Sequence, residues 1–413
     1  MPDGSAQFSD VPHEWTRGQQ LALDRFGEWF KVNKDTPAIF RLFGYAGTGK
    51  TTVAKHLAAS IEGKVIYGAF SGKAAVIMQK AGCTGAATIH SIIYRPVGGE
   101  AEANKLVTKL QEEKDPLKRK DLMRDIETLL NPKFVLNLDG PLSEADLFII
   151  DECSMVNAEM LKDILAFKKP LLVLGDPGQL PPVSGEGALT TAEPDVMLDE
   201  VRRQALDSPV LKLATDARLG RKTPFGRYGD SAIVQGSIPD ESFFENHDQV
   251  ICGFNKNRLV LNSIYRELHS FHEEFPVETE RLICLRNERS KGLLNGEMFS
   301  VEEFFEERNL GLRMQLKSLD REGNPLFVNA LAAYFQEYAF PGALQEINAY
   351  TRNNYSWFDF AYAVTCHKAQ GSQWPSVFVF YDGFGWKEAD VRRAWIYTAI
   401  TRAGEKVTLM RKS

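Results

Sequence analysis

The chain lacks the cysteine pattern of a zinc site or a disulfide framework. Five cysteines (Cys83, Cys153, Cys252, Cys284 and Cys366) are scattered over 413 residues with no CxxC pair, which fits a reducing compartment. No apolar run approaches the roughly 20 residues that span a bilayer, and no charged-then-apolar leader is present, so neither a membrane nor a secretory destination is expected. Excess positive charge is missing too. The formal balance is −6, so any surface for a polyanion has to be local. Internal repeats and low-complexity tracts are absent, and no spare cluster of carboxylates or histidines has the make-up of a nuclease site. What remains is an ordinary globular composition, 44% apolar, in a chain too long for a single core.

One stretch stands out from this ordinary background. Gly44-Tyr45-Ala46-Gly47-Thr48-Gly49-Lys50-Thr51 fits the Walker A phosphate loop at every defined position. With glycine at about 7% of residues, such a match arises by chance in about one chain of this length in a hundred. Its context is the required one. An apolar run, Ala38–Phe43, precedes it as a strand, and Thr52–Ser60 follows as a helix. Glycines let backbone N–H groups turn inward around phosphate oxygens, and the helix N-terminus adds positive potential. Lys50 is spaced to reach the β/γ-phosphates, and the Thr51 hydroxyl to hold Mg²⁺. The nucleotide-binding set is Gly44, Tyr45, Ala46, Gly47, Thr48, Gly49, Lys50, Thr51 and Thr52.

A second feature supports the first. Leu147-Phe148-Ile149-Ile150 reads as a strand buried on both faces and ends in Asp151-Glu152. Carboxylates at the carboxyl end of such a strand lie beside the phosphate loop. Asp151 is placed to hold Mg²⁺ with Thr51, and Glu152 to orient or deprotonate an attacking water.

The wider pattern is two α/β halves, each interrupted. Val65–Ala69 and Leu171–Leu174 join the strands above in a parallel sheet with crossover helices. The rhythm breaks between about 95 and 141. There Glu102–Glu127 carries seven basic and seven acidic residues, with a break expected at Asp115-Pro116; this reads as an exposed helical insertion. A second sheet starts at Gln249–Phe254, resumes at Val377–Phe380 and closes at Lys406–Met410. Between about 281 and 354, short β segments and turn signals such as Leu294–Glu297 and Arg321–Pro325 suggest an inserted β module. The aromatics of Tyr355–Phe358 read as core.

In order and spelling these motifs resemble superfamily 1 helicases of the RecD-like and phage Dda-like branch, from about Trp15 to Met410. Trp15-Thr16-Arg17-Gly18-Gln19 looks like the Q motif, Ala69–Ala75 like motif Ia, Thr88–Ser91 like motif Ib and Asp151–Met155 like motif II. Gly175–Val183 resembles motif III, Glu200–Gln204 motif IV, Thr365–Gly371 motif V and Tyr397–Ala403 motif VI. The resemblance implies two RecA-like P-loop NTPase domains. The first is 1–94 with 142–197, interrupted by the small insertion 95–141. The second is 198–280 with 355–413, interrupted by an SH3-like β module at 281–354.

The same resemblance implies roles. Gln19 bonds the adenine edge and Gln179 senses the γ-phosphate. Arg402 and Arg203, with Arg202 as the alternative to the latter, reach that phosphate from the opposite half, so the catalytic set is Lys50, Glu152, Gln179, Arg203 and Arg402. Strand contacts fall to Ser71, Lys73, Thr88, His90, Asn255, Thr365, His367 and Lys368, and a strand-separating wedge to Phe134. The implied cofactors are ATP and Mg²⁺. The implied partners are single-stranded DNA, forked duplex DNA and replisome or recombination proteins, met by a monomer in the cytoplasm of a bacterial or phage-infected cell. The implied direction is 5′→3′. A rival reading is a nucleotide-switched binding or scaffold module that grips nucleic acid without separating strands.

Overall fold

The computed structural model describes residues 15–97, 105–106, 108–110, 112–130, 133–181, 187–200, 207–236, 241–288, 291–385 and 387–412. The first half contributes β1 (Ile39–Gly44), β2 (Val65–Ala69), β3 (Ala87–Thr88), β4 (Tyr94–Val97), β5 (Lys133–Leu136), β6 (Leu147–Asp151), β7 (Leu171–Gly175) and β8 (Val196–Leu198). Six of these form a wholly parallel sheet in the order β3-β2-β6-β7-β1-β8. Continuous apolar sequence is what that arrangement demands, since helices cover both faces. Accordingly Leu171, Leu172, Val173 and Leu174 of β7 and Leu147 to Ile150 of β6 are fully buried.

This strand order positions the chemistry. β6, β7 and β1 are neighbours, so Asp151-Glu152, Asp176 and the phosphate loop leave adjacent strands at their carboxyl ends, where open α/β sheets bind ligands.

The interruption of the first half contains β4 and β5, an antiparallel hairpin at its base, and the helix Pro116–Leu130. The break at Asp115-Pro116 is that helix's start: the Asp115 carboxylate accepts from the Leu117 N–H at 2.9 Å.

The second half adds β9 (Gly226–Tyr228), β10 (Ser231–Gln235), β11 (Gln249–Cys252), β12 (Arg281–Cys284), β13 (Met298–Arg308), β14 (Gly311–Ser318), β15 (Leu326–Leu331), β16 (Phe358–Phe360), β17 (Ala363–Thr365), β18 (Trp374–Phe380) and β19 (Ala403–Arg411). Its main sheet runs β17-β11-β18-β19-β10-β9, parallel except for the β10–β9 pair. The inserted module is a five-stranded antiparallel sheet, β15-β14-β13-β12-β16, around its own core of Leu282, Phe299, Leu312, Leu316 and Phe358. β16 pairs with β12, so this sheet continues beyond residue 354, and Phe358 is core as the sequence suggests.

A buried ion pair fixes the module's root. Glu280, fully buried, receives Arg266 Nε at 2.8 Å, Arg266 Nη2 at 3.2 Å, the Val277 N–H at 2.9 Å and the Tyr362 hydroxyl at 3.2 Å. Removing one partner strands the other charge in a low-dielectric site. Glu280→Ala should therefore cost about 3–5 kcal/mol in chemical denaturation. Arg313→Ala, which breaks the exposed pair with Glu306, should cost less than about 1 kcal/mol.

Candidate functional site

The phosphate loop is held open by its glycines. Gly47 and Gly49 sit at φ 78° and 82°, backbone that a side chain resists, and Lys50 opens the helix Lys50–Ala59. The Lys50 ammonium donates to the Gly44 and Tyr45 carbonyls at 2.6 and 3.2 Å. At the end of β6 the Thr51 hydroxyl donates to Asp151 Oδ2 at 3.2 Å. Two hard oxygen ligands so close, one of them a partly buried carboxylate, suit a small divalent cation completed by water and phosphate oxygens.

Burial raises the pKa of both Asp151 and Glu152, and the charge of Lys50 opposes the rise at Asp151. For Glu152 the main opposing charge is Arg402, from the other half. The Glu152 backbone is left-handed, φ 52° and ψ 45°. A non-glycine residue held so is a local strain of the kind found at functional sites. Arg402 itself is buried, with Nε donating to the Thr398 carbonyl at 3.1 Å and Nη1 to the Ser372 carbonyl at 3.2 Å. Gln179 has a buried side-chain oxygen with no protein donor, the state of a group awaiting a ligand or water. Arg203 and its alternative Arg202 lie outside the described residues.

Gln19 departs from expectation. It has no accessible surface, its Oε1 accepts from the Thr16 N–H at 3.1 Å, and its Nε2 donates to the Thr48 carbonyl at 2.8 Å. A side chain so enclosed braces the phosphate loop and presents no edge to adenine in this conformation.

The second group of residues meets in a cleft of about 670 Å³ between the halves. Ser71, Lys73, Asn255, Thr365, His367 and Lys368 all line it, as does Glu152. Ser71 and Thr365 cap helices, accepting from the Ala74 and Lys368 N–H groups at 3.1 and 3.3 Å; each keeps its own hydroxyl proton to donate. Asn255 starts the helix Asn255–Leu268. Asp382 sets that start, accepting the Gly253 and Phe254 N–H groups at 2.9 Å each and Asn257 Nδ2 at 2.7 Å. Burial lowers the pKa of both His367 and Lys368, and Lys368 donates to Asn295 Oδ1.

Lys73 is a correction. Its ammonium is buried, paired with Asp320 Oδ1 of the β module at 3.1 Å and 4.7 Å over the Trp374 ring. A strand phosphate would have to displace that carboxylate. Thr88 and His90 are not among the residues lining the cleft. The Thr88 hydroxyl caps Ile89–Ile93, and the His90 ring packs on Tyr94 and, edge-on at 4.3 Å, on Phe134. Phe134 is 46% exposed on β5.

Sequence reasoning did not single out Tyr397 or Arg218, both from the second half. The Tyr397 hydroxyl accepts from the Ala46 N–H at 2.8 Å and donates to Asp176 Oδ2 at 2.6 Å. Arg218 lies over the Tyr45 ring at 3.5 Å. Tyr397 opens the motif VI stretch, but its contact with the phosphate loop is not visible in that spacing, and Arg218 belongs to no local pattern.

A profile of the AAA domain family matches residues 31–237, and one of the UvrD-like helicase C-terminal domain matches 360–410. The chain belongs to the AAA domain family. It is 26% identical to the ATP-dependent RecD2 DNA helicase of Deinococcus radiodurans over 292 residues, covering 63% of this chain and 36% of that protein. The chain spans 38% and 36% of the length of the curated relatives it matches. In fold it is similar to a Bacteroides Pif1 crystallised with single-stranded DNA, with TM-score 0.53, 17% identity and 96% and 92% of the two chains covered. It is also similar to a Pif1 from a study of DNA unwinding at forked duplexes, with TM-score 0.52, 16% identity and coverage of 95% and 91%. The two parallel sheets and these likenesses in fold are those of two RecA-like domains.

The lowered pKa of His367 has a consequence for stability. The folded protein holds this ring neutral at pH values where the unfolded chain, titrating near 6.5, already binds a proton. Stability from this site is present above pH 6.5 and is lost as pH falls from 6.5 towards the lowered folded value. In thermal melts between pH 7.5 and 5.5, His367→Gln should destabilise less on acidification than the parent protein.

Proposed function

We propose that this chain is an ATP-dependent DNA helicase that moves 5′→3′ along a single strand and opens duplex ahead of it. The observation that carries the reading is one continuous interface. Glu152 of the first half faces Arg402 of the second, the phosphate loop meets Tyr397 of the second through the Ala46 N–H, and the same interface lines a cleft with five polar residues placed toward a strand: Ser71, Asn255, Thr365, His367 and Lys368. A site completed only by two halves makes hydrolysis depend on their closure, and closure alters the grip on the strand.

In this reading Lys50 leaves the loop carbonyls for the β/γ-phosphates, and Thr51 with Asp151 holds Mg²⁺, which supplies Lewis-acid stabilisation of the phosphate oxygens. Glu152, made more basic by burial, takes the proton of the attacking water. Arg402 and Arg203 carry positive charge to the γ-phosphate, and Gln179 reports its presence. Phe134, exposed on the hairpin of the first insertion and packed on His90, serves as the wedge. The described residues contain no helix long and apolar enough to cross a membrane, and the five thiols are buried and free, consistent with a reducing cytoplasm. The direction and the preference for DNA rest on kinship with RecD- and Pif1-like proteins.

Two measurements test this. Lys50→Ala should abolish steady-state ATP hydrolysis by weakening phosphate binding. Glu152→Gln should retain nucleotide and lose turnover by at least about a hundredfold, in the range general-base catalysis supplies; wild-type-like turnover with saturating DNA would remove Glu152 from its role. Duplexes tailed on one end only then read direction. Displacement is expected for the 5′-tailed substrate, and displacement confined to the 3′-tailed one would overturn the polarity.

A further inference from the structure

Tyr397 sits on the helix Ala389–Ile400 of the second half, with its ring 2% exposed. Its hydroxyl is the single polar atom of a large buried side chain, and both its hydrogen-bonding capacities are used across the interface. It accepts from the Ala46 N–H of the phosphate loop at 2.8 Å and donates to Asp176 Oδ2 at 2.6 Å. Burial raises its pKa far above the normal phenol range, so it remains protonated and serves both partners at working pH.

Asp176 carries the contact onward. Its other oxygen accepts from the Gly178 N–H at 2.9 Å, which fixes the turn bearing Gln179. The turn and the tyrosine touch closely enough to require glycine: a Cβ at Gly178 would lie 2.9 Å from Tyr397 Cε1. Two residues further, the Leu180 N–H donates to Thr398 Oγ1 at 2.9 Å and the Leu180 carbonyl accepts from Gln370 Nε2 at 3.0 Å. Gln370, with Gly371 and Ser372, lines the cleft beside His367 and Lys368. A hydrogen-bonded series thus runs from a phosphate-loop amide to the wall of the strand cleft, and each link is shorter than 3.1 Å.

Loop amides of this kind are donors for phosphate oxygens, and an anionic oxygen makes a stronger acceptor than a phenol hydroxyl. We propose that Tyr397 is a positioning residue that couples the strand cleft to the phosphate loop: its hydroxyl holds the Ala46 amide until a phosphate oxygen takes its place, and the released hydroxyl remains on Asp176 and resets the Asp176–Leu180 turn. The proposal rests on the nucleotide and strand sites of the preceding section. It concerns a residue that those roles leave out.

The test is Tyr397→Phe, which keeps the ring and removes only the hydroxyl. Three quantities are measured: affinity for a fluorescent ADP analogue without DNA, and kcat and KM for ATP with and without oligo-dT. Coupling free energies between sites correspond to about 5–150-fold effects, so the stimulation of kcat by oligo-dT should fall at least about fivefold. Analogue affinity should stay within about threefold, and KM without DNA should not rise. Gln370→Met, at the far end of the series, should lower stimulation similarly, and the double variant should lose little more, because residues acting through one network are not additive. Stimulation unchanged in Tyr397→Phe overturns the proposal while leaving the helicase reading intact. Loss of nucleotide affinity together with stimulation also overturns it, because the hydroxyl then only supports the loop. A parent protein whose turnover is not stimulated by DNA sinks both readings.

Discussion

Two partly buried carboxylates side by side at the end of one strand, Asp151 and Glu152, set the terms for the rest of the molecule. Removing such groups from water is expensive, by several kcal/mol each unless positive charge or donors are supplied. The first half supplies Lys50 and Thr51 and little more. The positive charge that matters most for Glu152 comes from Arg402 in the second half. Two separately folded sheets therefore have to meet where Asp151-Glu152 leave β6 at its carboxyl end and Arg402 enters β19 at its amino end. In the first sheet β6, β7 and β1 lie side by side, and in the second β19 lies beside β18.

The same constraint explains what the second sheet does with its own loops. Thr365 ends β17 and Cys366 to Lys368 follow it, Asn255 follows β11, and Asp382 follows β18. Since these strands are neighbours, Asp382 can gather the amides of Gly253 and Phe254 beside the motif at 365–371. Asn255 is thus placed by bonds from the two preceding amides to a half-buried carboxylate, a stiffer mounting than a surface loop provides. Arg258, paired with Asp359, backs the same cleft.

Legibility in the sequence follows the range of the interaction that decides each feature. The strands at 147–151 and 171–175 were readable because burial on both faces demands an unbroken apolar run. The phosphate loop was readable because every constraint on it lies within eight residues. Tyr397 was not, since its meaning depends on an amide 351 residues away. Lys73 looked like a strand contact because the carboxylate that occupies it, Asp320, belongs to another module. Gln19 shows the same effect at shorter range: its spacing from Thr16 also fits a capping box, and that local use, together with the Thr48 carbonyl, consumes the side chain. The three-residue strand Phe358–Phe360 was too short to announce itself beyond the end of the expected module.

The charge balance of the cleft also bears on how such a site would work. The protein is acidic overall, at −6, and the cleft compensates little. Lys73 is paired with Asp320, which leaves Lys368, held by the neutral Asn295 amide, as the ammonium open to a strand. The other groups placed toward it are neutral: the hydroxyls of Ser71 and Thr365, the amide of Asn255 and the imidazole of His367, which burial keeps uncharged near pH 7. Hydrogen bonds from neutral donors to an anionic phosphate contribute about 1.5–3 kcal/mol each, and ion pairs to it add a long-range attraction that neutral donors lack. A binding site built to hold would favour the second kind. A site that releases and regrips a backbone at every step is better served by several weak contacts, each broken at small cost, with the larger free-energy changes confined to the nucleotide and the closure of the halves around it.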